Sequence, residues 1–210
     1  MTGDRKESAD QPRGRGSHHR PALSNEEINR LPLRRYEGEV HLIRTNRQVT
    51  SALRALRAEE VLGFDTETKP SFRKGEWNPP ALVQLAGGRG VHIFQISMLG
   101  FPEGLIEILA NPEISKVGVA PTDDFRALKR LRPFEESGVI DLGPFATEHG
   151  HESNGLRGLA ASVLGFRISK GARCSNWSRS TLSPTQITYA ATDAWVSREI
   201  YLALCNGSAP

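Results

Sequence analysis

Cysteine is scarce in this 210-residue chain, where Cys174 and Cys205 are the only two. Two such residues form no disulfide framework and have no metal-ligand spacing, which suits a reducing cytoplasm. Long apolar runs are missing as well. Spanning a membrane takes about 20 consecutive apolar residues, and neither such a run nor a secretory apolar core is present. These absences lead us to expect a soluble, cytoplasmic protein. A large excess of one charge is also lacking. The chain has 27 Lys and Arg against 24 Asp and Glu, a net charge of +3. Residues 1–20 alone hold five of those bases and three of the acids, so the remainder is nearly neutral. The pI of 9.1 is therefore poor support for binding a polyanion, and any attraction to phosphate must come from local patches. No internal repeat is present. Gly87-Gly88-Arg89-Gly90 lacks the Lys-Ser/Thr of a phosphate loop and reads as a hairpin turn.

What is there has a clear order. Residues 1–25 are rich in Gly, Ser, Pro and charge and nearly empty of large apolar side chains, so we expect a disordered polar tail. Its Arg13-Gly14-Arg15-Gly16-Ser17-His18-His19-Arg20 run reads as a solvated tail or as a weak nucleic-acid contact. Residues 26–210 are long enough for one domain with a real core, and the fold proper is expected to begin near Tyr36. Val40-His41-Leu42-Ile43 reads as a strand, and residues 46–58 as an amphipathic helix with Val49, Leu53 and Leu56 on one face. Strands at 61–66, 81–86 and 91–95 follow, joined by turns that suit antiparallel pairing. Helices near 102–110 and 122–132 then alternate with strands near 116–120 and 138–141, and the rest reads as helical. The expected class is α/β: a mixed central sheet, antiparallel in its first three strands and then parallel, flanked by helices.

Carboxylates stand at three informative places. Asp65 and Glu67 follow the apolar lead-in Val61-Leu62-Gly63-Phe64, and residues two apart on a strand project from one face. The pair can share one cation. Tyr189 and Asp193 lie four apart in a helical run, one turn apart on one face. Asp124 follows the strand candidate Val117-Gly118-Val119-Ala120, at the carboxyl end where ligand sites of α/β sheets tend to form. Its neighbour Asp123 reads as a helix N-cap. Asp141 reads as another N-cap or as a fifth acid near the site.

Gly63-Phe64-Asp65-Thr66-Glu67-Thr68, together with Lys69 through Gly75, Ala81-Leu82-Val83-Gln84-Leu85-Ala86, and the closing stretch from Leu156 through Trp177 to Tyr189-Ala190-Ala191-Thr192-Asp193, resembles the DEDD superfamily of 3′–5′ exonucleases. The resemblance is to the branch with a tyrosine in its third motif, near Werner-type exonuclease domains and ribonuclease D, and it covers roughly residues 36–204. It implies a ribonuclease H-like fold. It also implies that Asp65, Glu67 and Asp193 bind one divalent ion, that Asp65 and Asp124 hold a second, and that Tyr189 orients or deprotonates the attacking water. Spacing to Leu128 favours Asp124 over Asp123. Mg²⁺ or Mn²⁺ suits such oxygen donors, and two ions about 3.5–4 Å apart serve in-line displacement at phosphorus.

The implied substrate is the 3′ end of single-stranded DNA or RNA, released as nucleoside 5′-monophosphates. The chain is too short for the helicase or helical RNA-binding domains that such relatives can carry, which leans the expectation modestly toward DNA. Ribonuclease D-like RNA trimming is the alternative enzyme, and a catalytically dead nucleic-acid-binding module the alternative of another class. Thr66, Thr68, Lys69, Arg73 and Lys74 beside the first motif, and Asn176 and Trp177 before the last helix, are candidate substrate contacts. Phe72 and Trp77 can stack on bases or lid the core. Trp177 and Trp195 also read as packing residues.

Overall fold

The computed structural model describes residues 20–71, 73, 75–152 and 155–207. The Arg13–Arg20 run therefore lies outside the description except for its last residue. Three strands form the centre: β2 (Val61–Thr68), β3 (Pro80–Ala86) and β4 (Val91–Phe94). They pair antiparallel through the tight 87–90 turn and the longer 69–79 connection. β5 (Ser115–Gly118) and β6 (Val139–Asp141) extend the sheet in parallel from β2. β1 (Val40–Ile43) closes the opposite edge, parallel to β4, so the order is β1-β4-β3-β2-β5-β6. This is the mixed α/β sheet that the alternation of strand and helix signals predicts.

Each face of the sheet is covered by helices with matching apolar stripes. On one face, α2 (Asn46–Leu56) buries Val49, Ala52, Leu53 and Leu56, the stripe expected of helical spacing. α4 (Glu103–Ala110) and α5 (Pro121–Leu131) add Leu105, Ile108, Phe125 and Leu128 against Leu62, Phe64, Val83 and Leu85. On the other face lies the long α8 (Pro184–Cys205), started by a Ser183–Gln186 capping box with Pro184 in its first turn. Its Ala190, Ala191 and Ala194 pack on Ala81, Leu82, Ala86 and Ile93. Its second half, Val196, Ile200 and Leu204, packs with α6 (Leu142–Glu148) and α7 (Leu156–Leu164). The small residues let α8 sit close. A Cβ built on Gly63 of β2 would lie inside the Ala194 carbonyl oxygen and 2.9 Å from the Arg198 backbone nitrogen.

Several details differ from expectation. The fold starts before Tyr36. α1 (Asn25–Arg30) carries its own Ser24–Glu27 capping box, buries Ile28, and is held by Arg157 through the Asn25 and Asn29 side chains. Residues 165–183 are not helical, because Gly165 ends α7 in a left-handed conformation (φ 70°) and the following Ser-rich stretch forms turns. Asp123 is not the N-cap of α5. That position belongs to Ala120, itself left-handed at φ 51°, with Pro121 following; Asp123 sits within the first turn and pairs with Arg126. Asp141 does cap a helix, accepting from Gly143 N at 2.9 Å and from Ala120 N at 3.1 Å.

Candidate active site

The site is assembled where β2 passes under α8. Alternation puts Gly63, Asp65 and Glu67 on the face toward α8 and Leu62, Phe64 and Thr66 on the face toward α5. Because Gly63 has no side chain, α8 approaches β2 closely and delivers Asp193 to the two strand carboxylates. Carboxylate oxygens of Asp65, Glu67 and Asp193 all lie within 4.8 Å of one another. Glu67 and Asp193 are buried. The pairing of β2 with β3 shifts register between Glu67 and Thr68, an irregularity of the kind that re-aims a side chain beside a functional site.

Asp124 reaches this centre from the other face. Its carboxylate accepts a hydrogen bond from the Thr66 hydroxyl, and its charge bears on both Asp65 and Glu67. It stands outside the compact group of three. The structure therefore converges three of the four expected carboxylates and leaves the fourth adjacent, tied through Thr66.

Such a cluster is electrostatically costly by itself. Burial, then the charges of Asp193 and Asp124, holds the Asp65 carboxyl well above the usual range. Burial, then the charges of Asp65, Asp193 and Asp124, pushes Glu67 up to about 10, with Arg173 opposing. Burial raises Asp193 to about 7 against a hydrogen bond from Tyr189, and raises Asp124 to about 6 against the bond from Thr66. Buried carboxylates without a cation hold protons instead of charge. The donor set is all hard oxygen and carries more negative charge than the fold neutralises, so it fits divalent cations of the Mg²⁺ or Mn²⁺ class.

Tyr189 is half-buried one turn before Asp193, to which its hydroxyl donates. Burial and the Asp193 and Glu67 charges raise its ionisation far above that of a free phenol, so it offers a proton donor and not a phenolate. Behind it packs Trp177, with ring centroids 6.0 Å apart. Trp177 is fully buried, which corrects its candidacy as a substrate contact: it presents no face to a base and serves to seat Tyr189. Trp195 likewise packs, stacked on Phe166 at 5.8 Å and beside Tyr36.

The remaining candidates are distributed around the site. Thr66 is engaged with Asp124 instead of standing free for substrate. Thr68 and Lys69 are half-buried at the end of β2, and Arg73 is exposed in the loop beyond. Lys74 and Phe72 lie outside the described residues. Asn176 is exposed, but its side chain accepts from Ser178 N at 3.2 Å and its carbonyl accepts from Gln186 Nε2 at 3.3 Å. It therefore shapes the turn before α8. Trp77 is 42% exposed with the Arg130 guanidinium 4.0 Å above its ring.

A profile of the 3′–5′ exonuclease family matches residues 40–207. The chain belongs to this family. Over 155 residues it is 36% identical to exonuclease 3′-5′ domain-containing protein 2 of Drosophila melanogaster, covering 72% of this chain and 26% of that protein. Over 153 residues it is 36% identical to the bifunctional 3′-5′ exonuclease/ATP-dependent helicase WRN of Mus musculus, covering 70% of this chain and 11% of that protein. The exonuclease domain thus spans only a minor part of the length of these relatives. Among solved structures, the Nibbler EXO domain of Aedes aegypti superposes with a TM-score of 0.75 at 23% identity, covering 82% of this chain and 91% of that one, which establishes a shared fold. The ribonuclease H-like exonuclease architecture expected from the motifs is the one observed. The matched region begins at β1 and ends with α8, so it contains every carboxylate of the cluster.

Sequence reasoning passed over two residues that the structure brings to the site. Gly63 sets the approach of α8, and Gln84 faces Asp65 from β3. A polar residue in the middle of an otherwise apolar strand was the available signal for the second.

Proposed function

We propose that this exonuclease domain removes nucleoside 5′-monophosphates from the 3′ end of a single strand, using two divalent ions held by Asp65, Glu67, Asp193 and Asp124. The observation that carries this reading is the convergence of Asp65, Glu67 and Asp193 within 4.8 Å, beside Tyr189, on the family's fold. What divalent ions supply when bound in such a site is stabilisation of charge on the attacking and departing oxygens. The protein's own part is to hold the ligands at fixed spacing and to orient the nucleophile. Tyr189, beside Asp193, orients the attacking water through its hydroxyl or takes its proton. Arg173, the exposed cation that opposes Glu67's raised proton affinity, would meet the phosphate chain. No described helix is long and apolar enough to cross a membrane.

Product analysis tests the proposal. Matched single strands of DNA and RNA, labelled at the 5′ end, are digested with Mn²⁺ or Mg²⁺ and the released nucleotides are separated. Shortening from the 3′ end with nucleoside 5′-monophosphates as product supports the reading, and the relative rates rank DNA against RNA. Internal cuts or nucleoside 3′-monophosphates would overturn it.

A further inference from the structure

We propose that the groove beside Tyr189, walled by residues 32–38, is a subsite that holds the phosphates of the strand upstream of its 3′ end. The proposal rests on the exonuclease reading and extends it to how polymer is told from mononucleotide. The groove has a volume of about 940 Å³ and is continuous with Tyr189 and Asp193. Its far wall is fixed instead of loose. Arg34 N donates to Arg167 O at 2.9 Å, Arg167 N donates to Pro32 O at 2.9 Å, and Tyr36 N donates to Thr192 Oγ1 of α8 at 3.0 Å. Strapped at residues 32, 34 and 36, this wall lines the groove with Arg34 and Arg35, and Thr185 and Thr188 line it from α8. Among the described residues the Arg35 guanidinium pairs with the exposed Glu37 at 3.7 Å, a pair of small energetic weight.

The chemistry matches a phosphodiester chain. The folded part has no large net positive charge, and the divalent ions of the cluster reach only the phosphate being cleaved. Attraction must therefore come from fixed cations near the cluster, and guanidinium forks bind phosphate oxygens well. Such contacts carry no base information and set register along the strand.

The test pairs Arg34→Glu/Arg35→Glu with the equal charge change Arg44→Glu/Arg47→Glu at the start of α2, on the opposite face. Binding of fluorescein-labelled dT12 is measured by anisotropy in chelator, where nothing is cleaved. With Mn²⁺, kcat/KM for dT12 is compared with that for p-nitrophenyl thymidine 5′-monophosphate, which lacks an upstream strand. The Arg34/Arg35 variant should bind dT12 at least tenfold more weakly, with a log–log salt slope shallower by about 1.4, since each of the two lost single-strand phosphate contacts contributes about 0.7. Its ratio of dT12 to reporter turnover should fall at least tenfold, and the α2 variant should keep both values. Unchanged dT12 binding, or an equal loss on both substrates, would overturn the groove. If wild type hydrolyses neither substrate, the exonuclease reading fails, and binding in chelator still decides the groove.

A separate observation concerns Gln84. It is fully buried in β3, and neither atom of its amide has a hydrogen-bond partner. Its register partner across the antiparallel pair is Asp65, and directly opposite residues share a face. Leaving a buried polar group unpaired costs about 1–3 kcal/mol, so an amide where Met or Leu would fit needs a use. We infer that Gln84 is a positioning residue for Asp65: its amide, unpartnered here, turns to donate Nε2–H to one carboxylate oxygen of Asp65 when a cation is bound, so that the other oxygen faces the cation. Gln84→Met and Gln84→Leu test this through Mn²⁺ binding, followed by electron paramagnetic resonance, and through thermal unfolding without metal. The expected result is unchanged or higher metal-free stability with Mn²⁺ affinity lowered at least tenfold, in the range of lost supporting contacts to metal ligands. Mn²⁺ affinity within twofold of wild type in a folded variant, or lowered stability in both with affinity retained, would overturn the role.

Discussion

Gly63→Ala adds a single methyl where the sheet and the last helix leave no room, and so tests how the site is spaced. The new carbon would lie 2.9 Å from Arg198 N and 3.0 Å from Ala194 C, and closer still to Ala194 O. All three are backbone atoms of α8, so no rotamer change relieves the clash, and the helix must move outward by about 1.5 Å to reach ordinary contact distance. Overpacking of this kind typically costs about 1–3 kcal/mol, and a clash with helix backbone belongs at the upper end. The same shift carries Asp193 away from Asp65 and Glu67. It also strains the bond from Arg198 Nε to Val61 O, 3.2 Å long. A misplacement of about 1 Å at a reacting centre costs on the order of 10²-fold in rate. The assay is urea unfolding in chelator together with turnover of a 5′-labelled strand. Gly88→Ala serves as the control, because a Cβ there meets only side-chain atoms at 3.4 Å or more. Gly63→Ala should lower the midpoint by about 1 M, given slopes of about 1–3 kcal/mol/M, and lower turnover about 100-fold. Wild-type values for both would refute the close-approach account of the site.

The raised carboxyls make stability depend on pH in a defined direction. Asp193 and Asp124, at about 7 and about 6 in the fold, hold protons that the unfolded chain releases near pH 4. Their stabilisation is complete below pH 4 and is lost as pH rises through 6 to 7, on the order of 3 kcal/mol for Asp124. Urea midpoints in chelator should fall from pH 5 to pH 8, and Asp193→Asn should flatten the fall; a rise over that range would contradict the burial argument. Tyr189→Phe should fold normally and lose about 10²-fold in kcat, within the usual range for a group assisting proton transfer or orientation, while Mn²⁺ affinity stays near wild type; full activity would remove Tyr189 from the mechanism. Asp124→Asn should impair turnover severely, whereas Asp123→Asn, which loses only an exposed pair with Arg126, should remain within twofold; equal losses would undo the assignment.

The features legible in the sequence are those set by local period. Two-residue spacing on a buried strand placed Asp65 and Glu67 on one face, and four-residue spacing on a helix placed Tyr189 beside Asp193. Both relations hold in the structure for the same geometric reasons. What escaped depends on distant partners. The wall of the groove is fixed by Tyr36 N reaching Thr192, 156 residues away, and nothing near either residue announces the other. α1 has six residues and one buried apolar side chain, too little periodicity to register, although its Ser24–Glu27 cap was readable. Trp177 read more as a packing residue than as a substrate contact, and it is fully buried. Asp123 followed a rule for N-caps that Pro121, two residues earlier, had already displaced.

The most direct measurement is digestion of a 5′-labelled single strand by wild type and Asp65→Ala, each with Mn²⁺ and with chelator, alongside proof that both proteins are folded. The account predicts a ladder shortening from the 3′ end only for wild type with metal. Cleavage that persists in chelator, or at wild-type rate in Asp65→Ala, would contradict the claim that this carboxylate cluster is the catalytic centre.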